Sequence, residues 1–207
     1  MKQTDMTCAQ FSAALASPSP SPGGGGAAAL CGSFAAGLGR MVAALSQNKK
    51  ACAEHKEEIE GISKRLEELR VELIELVSAD EEGFAPVTAA WAMDKADPLR
   101  EQAVEYALYG ACAAPINMME ALCEVLDLLA RLTPVCSPLL ISDAGSGATL
   151  CAGALRAAAL NIYVNAGLMK QRERAQELLE KTDALLESAT LGDDTFRFVR
   201  QKLSSTE

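Results

Sequence analysis

The sequence predicts an all-α fold, a single-domain bundle of long helices. Hydrophobic residues make up 49% of the 207-residue chain, but aromatic residues only 4%. Alanine is abundant beside leucine, glutamate and lysine, which are residues that favour helices. No stretch alternates apolar and polar residues strictly enough to indicate a strand. We find no internal repeat and no second domain, so we expect one helical domain over 1–207.

Apolar periodicity and breaks divide the chain into helical segments. The third segment carries apolar residues three and four positions apart, which is the spacing of a helix packed lengthwise on another helix: Ile59, Ile62, Leu66, Leu69, Leu73 and Leu76. Pro115 lies inside a long helical pattern and is expected to kink or split it. The predicted helices are 4–16, from the glycines at 23–26 to about 47, from near 50, 80–92, 98–132, 142 to about 169, 170–189 and 194–203.

Small residues dominate every face of two segments, AAALCGSFAAGLG and DAGSGATLCAGALRAAALN. Such helices can pack backbone against backbone, so we expect them at the tight centre of the bundle or at a dimer interface. Small side chains also leave room for a flat ligand between the helices. Together with the apolar seam of the third helix, these segments predict a homodimer. The site is then expected either within one chain or at the subunit interface.

Charge and composition exclude several classes of function. The net charge is -9 without a cluster of lysine or arginine, which argues against nucleic-acid binding. No uninterrupted apolar run reaches the ~18 residues of a membrane span, and the longest, 23–39, is mostly glycine and alanine. The first residues, MKQTDMTCAQFSAAL, do not follow a basic-then-apolar signal pattern. We therefore expect a cytoplasmic protein with neither a nucleic-acid nor a membrane partner.

The sequence gives little indication of a metal site or of a catalytic nucleophile. The chain has seven cysteines and one histidine, and no cysteine pair has the CxxC spacing of a zinc site. The cysteines are most simply small buried hydrophobic residues. His55 lies in the charged run KKACAEHKEEIE, where a solvated helix residue is the simpler interpretation than a catalytic triad. We therefore expect no metal site.

The stretch PSPGGGGAAA places four glycines directly before an alanine-rich helix. A helix N-terminus presents unpaired N–H groups and attracts anions, and glycines leave those donors uncovered. The stretch is not a Walker loop, because no GK[ST] follows, and it is not a dinucleotide fingerprint, because no strand precedes it. The glycines thus indicate either an anion, a close approach of backbone to another group, or a turn required by packing.

Three blocks in order resemble the cyclodeaminase/cyclohydrolase family, which includes the C-terminal domain of formiminotransferase-cyclodeaminase and free-standing methenyltetrahydrofolate cyclohydrolases. The first block, PSPGGGGAAALCGSFAAGLGRMVAALSQNKK, is similar to the family's opening. The second, ADEEGFAPVTAAW, resembles its acidic-aromatic segment. The third, LLISDAGSGATLCAGALRAAALNIYVNAGLM, resembles a segment with S-D-x-G followed by A-A-L-N-V-x-x-N. The matching positions include Pro20, Pro22, Met41, Val42, Leu45, Asp80, Phe84, Ser142, Asp143, Gly145, Asn161 and Asn165.

The resemblance implies one-carbon chemistry on a tetrahydrofolate derivative as substrate, with no bound cofactor. Such chemistry needs a carboxylate to balance a cation and move protons, and amides to fix the pterin. Asp143 is our first candidate for the carboxylate, with an ordinary helix N-cap as the alternative, and Asp80 is the second. The candidates for substrate binding are Gly23, Gly24, Gly25, Gly26, Lys49, Lys50, Ser142, Arg156, Asn161 and Asn165.

Each of these candidates also has a structural interpretation. Asn161 and Asn165, four apart on one helix face, bind either the pterin or a neighbouring helix. Arg156 pairs with Asp143 or a glutamate, or meets an anionic group of the substrate. The two lysines are either solvated or receive the carboxylates of the folate tail.

The resemblance implies a formimidoyltetrahydrofolate cyclodeaminase, which converts 5-formiminotetrahydrofolate to 5,10-methenyltetrahydrofolate and ammonia. The alternative is a methenyltetrahydrofolate cyclohydrolase, which opens the methenyl ring to 10-formyltetrahydrofolate. A non-catalytic helical assembly or interaction protein is the alternative from another class, and binding of a reduced folate distinguishes it from both enzymes.

Overall fold

The computed structural model describes residues 3–205, so the ends of the predicted domain, 1–2 and 206–207, lie outside the described residues. Within them all regular structure is helical, which confirms the predicted all-α class. The eight α-helices are α1 Cys8–Leu15, α2 Gly24–Ser46, α3 Lys56–Ala92, α4 Arg100–Gly110, α5 Ala113–Leu132, α6 Ile141–Leu168, α7 Arg172–Leu186 and α8 Ala189–Ser204. Short 3-10 helices span Gln3–Asp5, Lys50–His55 and Pro138–Leu140.

The two small-residue helices, α2 and α6, pack side by side at the centre of the bundle, as predicted. α3 covers α2 on one side, α5 contacts α6 and α3, and α8 lies on α6. Glycines make the close approach possible. A Cβ at Gly39 of α2 would lie 2.9 Å from a Leu66 methyl of α3, and one at Gly147 of α6 would lie 3.2 Å from the Ala35 carbonyl oxygen. Larger side chains would push these helices apart.

The apolar seam predicted on α3 is confirmed, since Ile59, Ile62, Leu66, Leu69, Leu73 and Leu76 are all buried. The predicted break at Asp80 is wrong, because α3 is one continuous helix of 37 residues that includes Asp80. An aspartate disfavours a helix interior mainly by bonding to its own backbone. The Asp80 carboxylate instead accepts an N–H from α2, so it leaves the α3 backbone bonds intact.

Other boundaries shift by a few residues. The pattern over 98–132 is split, as expected, but at Ala111 and Cys112, and Pro115 lies in the first turn of α5, where a missing N–H costs little. α6 begins at Ile141 and neither Ser142 nor Asp143 caps it. α8 begins at Ala189, five residues before the predicted start, and includes Gly192 at a tight contact with α6.

Two segments, Gly24–Ser46 and Pro138–Leu168, are long and apolar enough to cross a membrane by length and composition alone. This differs from the expectation that no apolar run of the chain reaches the length of a membrane span. Half of the apolar 18-residue stretch in each segment is buried inside the bundle. Core helices of soluble proteins meet the same criterion of length and composition. The finding is weak evidence for a membrane, and the absence of a span stays a prediction.

Candidate active site

A pocket of about 220 Å³ lies where four parts of the bundle meet. They are the turn before α2 with the first residues of that helix, the middle of α3, the junction of α4 and α5, and the C-terminal part of α6. The pocket is lined by Pro20, Ser21, Gly23, Gly24, Gly25, Asp80, Glu81, Phe84, Ala111, Pro115, Asn161, Val164 and Asn165. Six predicted candidates, three of the glycines, Asp80 and both asparagines, therefore share one pocket.

The glycine turn presents a helix N-terminus to this pocket. α2 begins at Gly24, with Gly23 in an extended conformation as the N-cap, and no side chain of that residue caps the helix. The first N–H groups of a helix have no partner within it. Gly24 and Gly25, whose N–H groups belong to this set, both line the pocket.

Asp80 of α3 supplies the missing cap. Its carboxylate accepts the backbone N–H of Gly26, in the first turn of α2. A Cβ at Gly25 would lie 2.5 Å from the Asp80 Cγ and closer still to both oxygens, so only glycine fits there while the Asp80 carboxylate keeps this position. At Gly24 and Gly26 the nearest atoms would be 3.8 Å and 3.5 Å away, which is ordinary contact. Of the interpretations left open by the sequence, the structure thus shows a close approach, between the backbone and a carboxylate.

Two opposing effects act on the pKa of Asp80. Burial raises the pKa above the ordinary value of 3.8, because the charged form loses solvation. The hydrogen bond from Gly26 lowers it, but by less, so the net shift is upward. A carboxylate with a raised pKa is a better proton acceptor near neutral pH than an ordinary aspartate.

Asn161 and Asn165 project into the pocket from one face of α6, as their spacing predicted. The Asn161 Nδ2 donates to the Ala157 carbonyl oxygen at 3.0 Å, which leaves Oδ1 as an acceptor near Gly24. Asn165 is buried, and its side chain hydrogen-bonds to the Cys112 thiol. Burial raises the pKa of that thiol to about 11, so Cys112 is protonated at neutral pH and is no nucleophile.

The charge of the lining is negative. Asp80 and Glu81 are the charged residues among the lining side chains described, and no lysine or arginine accompanies them. Phe84 adds an aromatic wall, held by an edge contact with the Trp91 ring at 6.0 Å between centroids. A cation with a flat ring system would be stabilised here by the carboxylates and by the aromatic face.

Sequence reasoning missed several lining residues. Glu81 and Phe84 follow Asp80 at one and four positions, and a continuous α3 would have placed Phe84 on the face of Asp80. Ala111, Pro115 and Val164 carry no chemical signal, and only the tertiary arrangement brings them to the pocket.

Asp143 and Ser142, by contrast, lie far from this pocket. They are in the first turn of α6, and 18 residues of helix, roughly 27 Å, separate Asp143 from Asn161. Ser142 lines a different groove, with Gly145, Phe196 and Val199. The structure therefore brings Asp80, and not Asp143, to this pocket, and the catalytic role of either carboxylate stays a prediction.

The predicted cationic candidates are not at the pocket either. Lys49 and Lys50 follow the C-terminal end of α2, about 35 Å along that helix from the glycines. Both are exposed. Arg156 is exposed as well and pairs with Asp193 at 2.6 Å, rather than with Asp143 or a glutamate. Residues 3–205 contain no group of three or more histidine, cysteine, aspartate or glutamate side chains that could hold a metal ion.

A small pocket that joins a carboxylate, two amides and a helix N-terminus in an all-α bundle has the features of an enzyme site for a small cationic molecule. Comparison with known proteins identifies the family. Residues 7–184 match the model of the formiminotransferase-cyclodeaminase family. The chain belongs to this family, which confirms the resemblance drawn from the three sequence blocks.

One relative and one solved structure are similar to nearly the whole chain. It is 33% identical over 195 residues to a methenyltetrahydrofolate cyclohydrolase of Methylorubrum extorquens, and the alignment covers 92% of this chain and 94% of the relative. A crystal structure of a formiminotetrahydrofolate cyclodeaminase from Thermotoga maritima superposes with a TM-score of 0.85 over 98% of both chains. At 23% identity, that structure shows the common fold alone.

Proposed function

We propose that the protein is a methenyltetrahydrofolate cyclohydrolase and that Asp80 moves the protons of the reaction. The observation that carries the proposal is the Asp80 carboxylate, held by the Gly26 N–H at a small pocket whose described lining has no cationic side chain. The relative that shares 33% of the sequence over nearly its whole length bears this activity in its name. The cyclodeaminase favoured by the sequence becomes the second candidate.

The substrate of this reaction carries a positive charge spread over N5, the methenyl carbon and N10. Asp80 and Glu81 favour such a cation in the pocket, and Phe84 offers a face to its ring. The amides of Asn161 and Asn165 and the N–H groups of the glycine turn suit the polar edge of the pterin. The reaction balances with water alone, so the proposal includes no bound cofactor.

Asp80 has two tasks in this mechanism. It accepts a proton from water as the water oxygen bonds to the methenyl carbon, which gives a neutral tetrahedral intermediate. It then returns this proton to N5 as the bond between the carbon and N5 breaks. The hydroxyl proton of the intermediate leaves to solvent as the formyl C=O forms on N10. The raised pKa of Asp80 favours both transfers near neutral pH.

The cyclodeaminase reaction remains the second candidate, because the family is described as formiminotransferase-cyclodeaminase. It passes through a similar tetrahedral carbon between two nitrogens, with ammonia as the leaving group instead of N5. The same pocket residues would serve it, so substrate assays have to separate the two.

The test is a pair of assays on the purified full chain. One follows the loss of methenyltetrahydrofolate absorbance over the uncatalysed background, and the other follows ammonia release from 5-formiminotetrahydrofolate. Accelerated methenyl loss without ammonia release supports the cyclohydrolase. Ammonia release identifies the cyclodeaminase, and no turnover of either substrate contradicts the enzyme proposal and favours a non-catalytic bundle.

Two variants then test the assignment of the carboxylate. Asp80→Asn keeps the shape and an acceptor for the Gly26 N–H, but it removes the proton acceptor, so turnover is expected to fall roughly 10²- to 10⁴-fold. Asp143→Asn is the matched control at the far end of α6 and is expected to retain activity. The opposite result, loss in the second variant only, would return the role to Asp143.

A further inference from the structure

The acidic lining leaves part of the substrate without a partner. This inference rests on the proposed function, in which the substrate is a folate whose p-aminobenzoyl group ends in one or more glutamates. Asp80 and Glu81 favour the cationic end of that molecule but repel its carboxylates. The tail must therefore leave the pocket and meet cations beyond the lining.

After the lining residues of α6 the chain reaches Lys170 and then two arginines at the start of α7, Arg172 and Arg174. Arg172 lies against the C-terminal end of α6, where its Nη1 donates to the carbonyl oxygens of Met169 at 3.0 Å and Ala166 at 3.5 Å. Ala166 directly follows Asn165 of the pocket. One guanidinium nitrogen serves both carbonyls, so this arginine keeps other N–H donors.

Arg174 of α7 packs against the end of α4, which is the other helix end beside the pocket. Its guanidinium carbon is 5.6 Å from the centre of the Tyr109 ring. Tyr109 is two residues before Ala111 of the pocket and exposes 44% of its surface. A guanidinium stacked on a ring keeps its in-plane donors for carboxylates. The exposed ring beside it is a flat surface on which an aromatic amide can pack.

Neither arginine is neutralised by a carboxylate of the described residues. Within residues 3–205 no carboxylate is within ion-pair distance of the Arg172 or Arg174 guanidinium. The neighbouring Lys170 differs, because it pairs with Glu101 at 2.7 Å. Two unpaired positive charges, Arg172 and Arg174, thus lie beside the ends of α6 and α4 that contribute to the acidic pocket. This arrangement matches a ligand that is cationic at one end and anionic at the other.

We infer that Tyr109 and Arg174, with Arg172 as a second cation, form the subsite for the p-aminobenzoyl-glutamate tail of the folate substrate. Arg174 and Arg172 bind the glutamate carboxylates, and the Tyr109 ring packs against the p-aminobenzoyl group. This subsite replaces the predicted role of Lys49 and Lys50, which lie about 35 Å away along α2.

The experiment measures KM and kcat for methenyltetrahydrofolate with one and with three glutamates, at low and high salt. Arg174→Gln and Arg172→Gln are each expected to raise KM roughly threefold at low salt, with kcat unchanged, which is the scale of an exposed ion pair. The rise should be larger for the triglutamate and smaller at high salt. Lys49→Gln is the control and is expected to leave KM unchanged.

A binding measurement separates the subsite from the activity. Titration of wild-type protein with p-aminobenzoyl-triglutamate, which lacks the pterin, should show binding that Arg174→Gln weakens and Lys49→Gln does not. If the wild-type enzyme turns over methenyltetrahydrofolate, but Arg174→Gln changes neither KM nor tail binding, the subsite is refuted and the proposed function is not. An inactive wild-type protein would refute the proposed function, and tail binding lost in Arg174→Gln would still support the subsite.

Discussion

The carboxylate of Asp80 on α3 accepts the backbone N–H of Gly26 at the start of α2, so one residue both caps a helix and lines the pocket. The positive end of the α2 dipole favours the ionised carboxylate, whereas burial favours the neutral one. Of the four glycines, Gly25 in the first turn of α2 is therefore explained by a geometric requirement. The carboxylate can reach the helix only if Gly25 has no side chain.

Gly25→Ala tests this requirement. The new Cβ would lie 2.5 Å from the Asp80 Cγ, so the carboxylate or the turn has to move. A displacement of about 1 Å at a reacting group can cost roughly 10²-fold in rate, and we expect a loss of tenfold or more in kcat/KM. The measurement is turnover of methenyltetrahydrofolate, with circular dichroism to show that the fold is kept.

Gly153→Ala is the control for this change. Gly153 also lies in a central helix, but a Cβ there would meet nothing within 4 Å. Alanine is favoured over glycine in a helix by about 1 kcal/mol, so this variant should be at least as stable as wild type and equally active. Full activity in Gly25→Ala would contradict the requirement for glycine beside Asp80.

Asp80→Asn is expected to change the pH dependence of stability. The pKa of Asp80 is raised in the folded state, so its contribution to stability is fully present below the unfolded value, near 3.8, and is lost as pH rises through the folded pKa. The uncharged asparagine does not undergo this loss. The Tm of Asp80→Asn minus the Tm of wild type should therefore become more positive as pH rises from acid towards neutral.

Thermal unfolding of both proteins across this pH range provides the measurement. Glu82→Gln is the control, because Glu82 lies two residues further along α3 and is exposed to solvent. We expect that variant to follow the wild-type curve. A constant Tm difference between Asp80→Asn and wild type would show that burial does not penalise the charged carboxylate.

The positions of Asp80 and Asp143 show how far the sequence could predict the site. The helical class, the seam of α3, the central α2 and α6 and the shared face of the two asparagines all follow from spacing and composition. Whether a carboxylate reaches a pocket depends on which helix ends meet. Asp143 has the sequence pattern of a helix cap and lies at the end of α6 far from the pocket, whereas Asp80 reaches the pocket from inside a helix.

Glu105 is the second carboxylate that caps a neighbouring helix. This buried side chain of α4 accepts the N–H groups of Lys170 at 2.8 Å and Gln171 at 2.9 Å, just before α7. Glu105→Ala leaves both donors without this partner, so we expect a loss of about 2 kcal/mol or more in the free energy of unfolding. Urea denaturation measures it.

Glu101→Ala serves as the comparison, one turn earlier on α4. Glu101 pairs with Lys170 at the surface, with both side chains 69% exposed, and such pairs contribute about 1 kcal/mol or less. If Glu105→Ala were no more destabilising than Glu101→Ala, Glu105 would not hold the start of α7.

The exposed apolar side chains of α2 and α6 predict a homodimer in which a second copy of the chain covers one wall of the pocket. Large apolar side chains stand out on both helices, namely Phe34, Met41, Leu45, Leu160, Val164 and Leu168. Val164 also lines the pocket and is 62% exposed, so a covering copy would enclose the site. We expect light scattering to give the mass of two chains, and Leu160→Glu to give one. A monomeric wild-type protein would contradict this arrangement.

The contact between α8 and α6 allows the last prediction. A Cβ at Gly192 would lie 2.6 Å from the Ala152 Cβ and 2.9 Å from the Ala148 carbonyl oxygen, and neither of these atoms can turn away as a long side chain can. Gly192→Ala must therefore separate the helices, at a cost of about 1–3 kcal/mol, although alanine is the better helix former. Urea denaturation beside Gly153→Ala, which adds the same methyl group in open space, isolates the effect of packing. Equal stability of the two variants would mean that α8 adjusts freely and that the small residues of α6 are not needed for its docking.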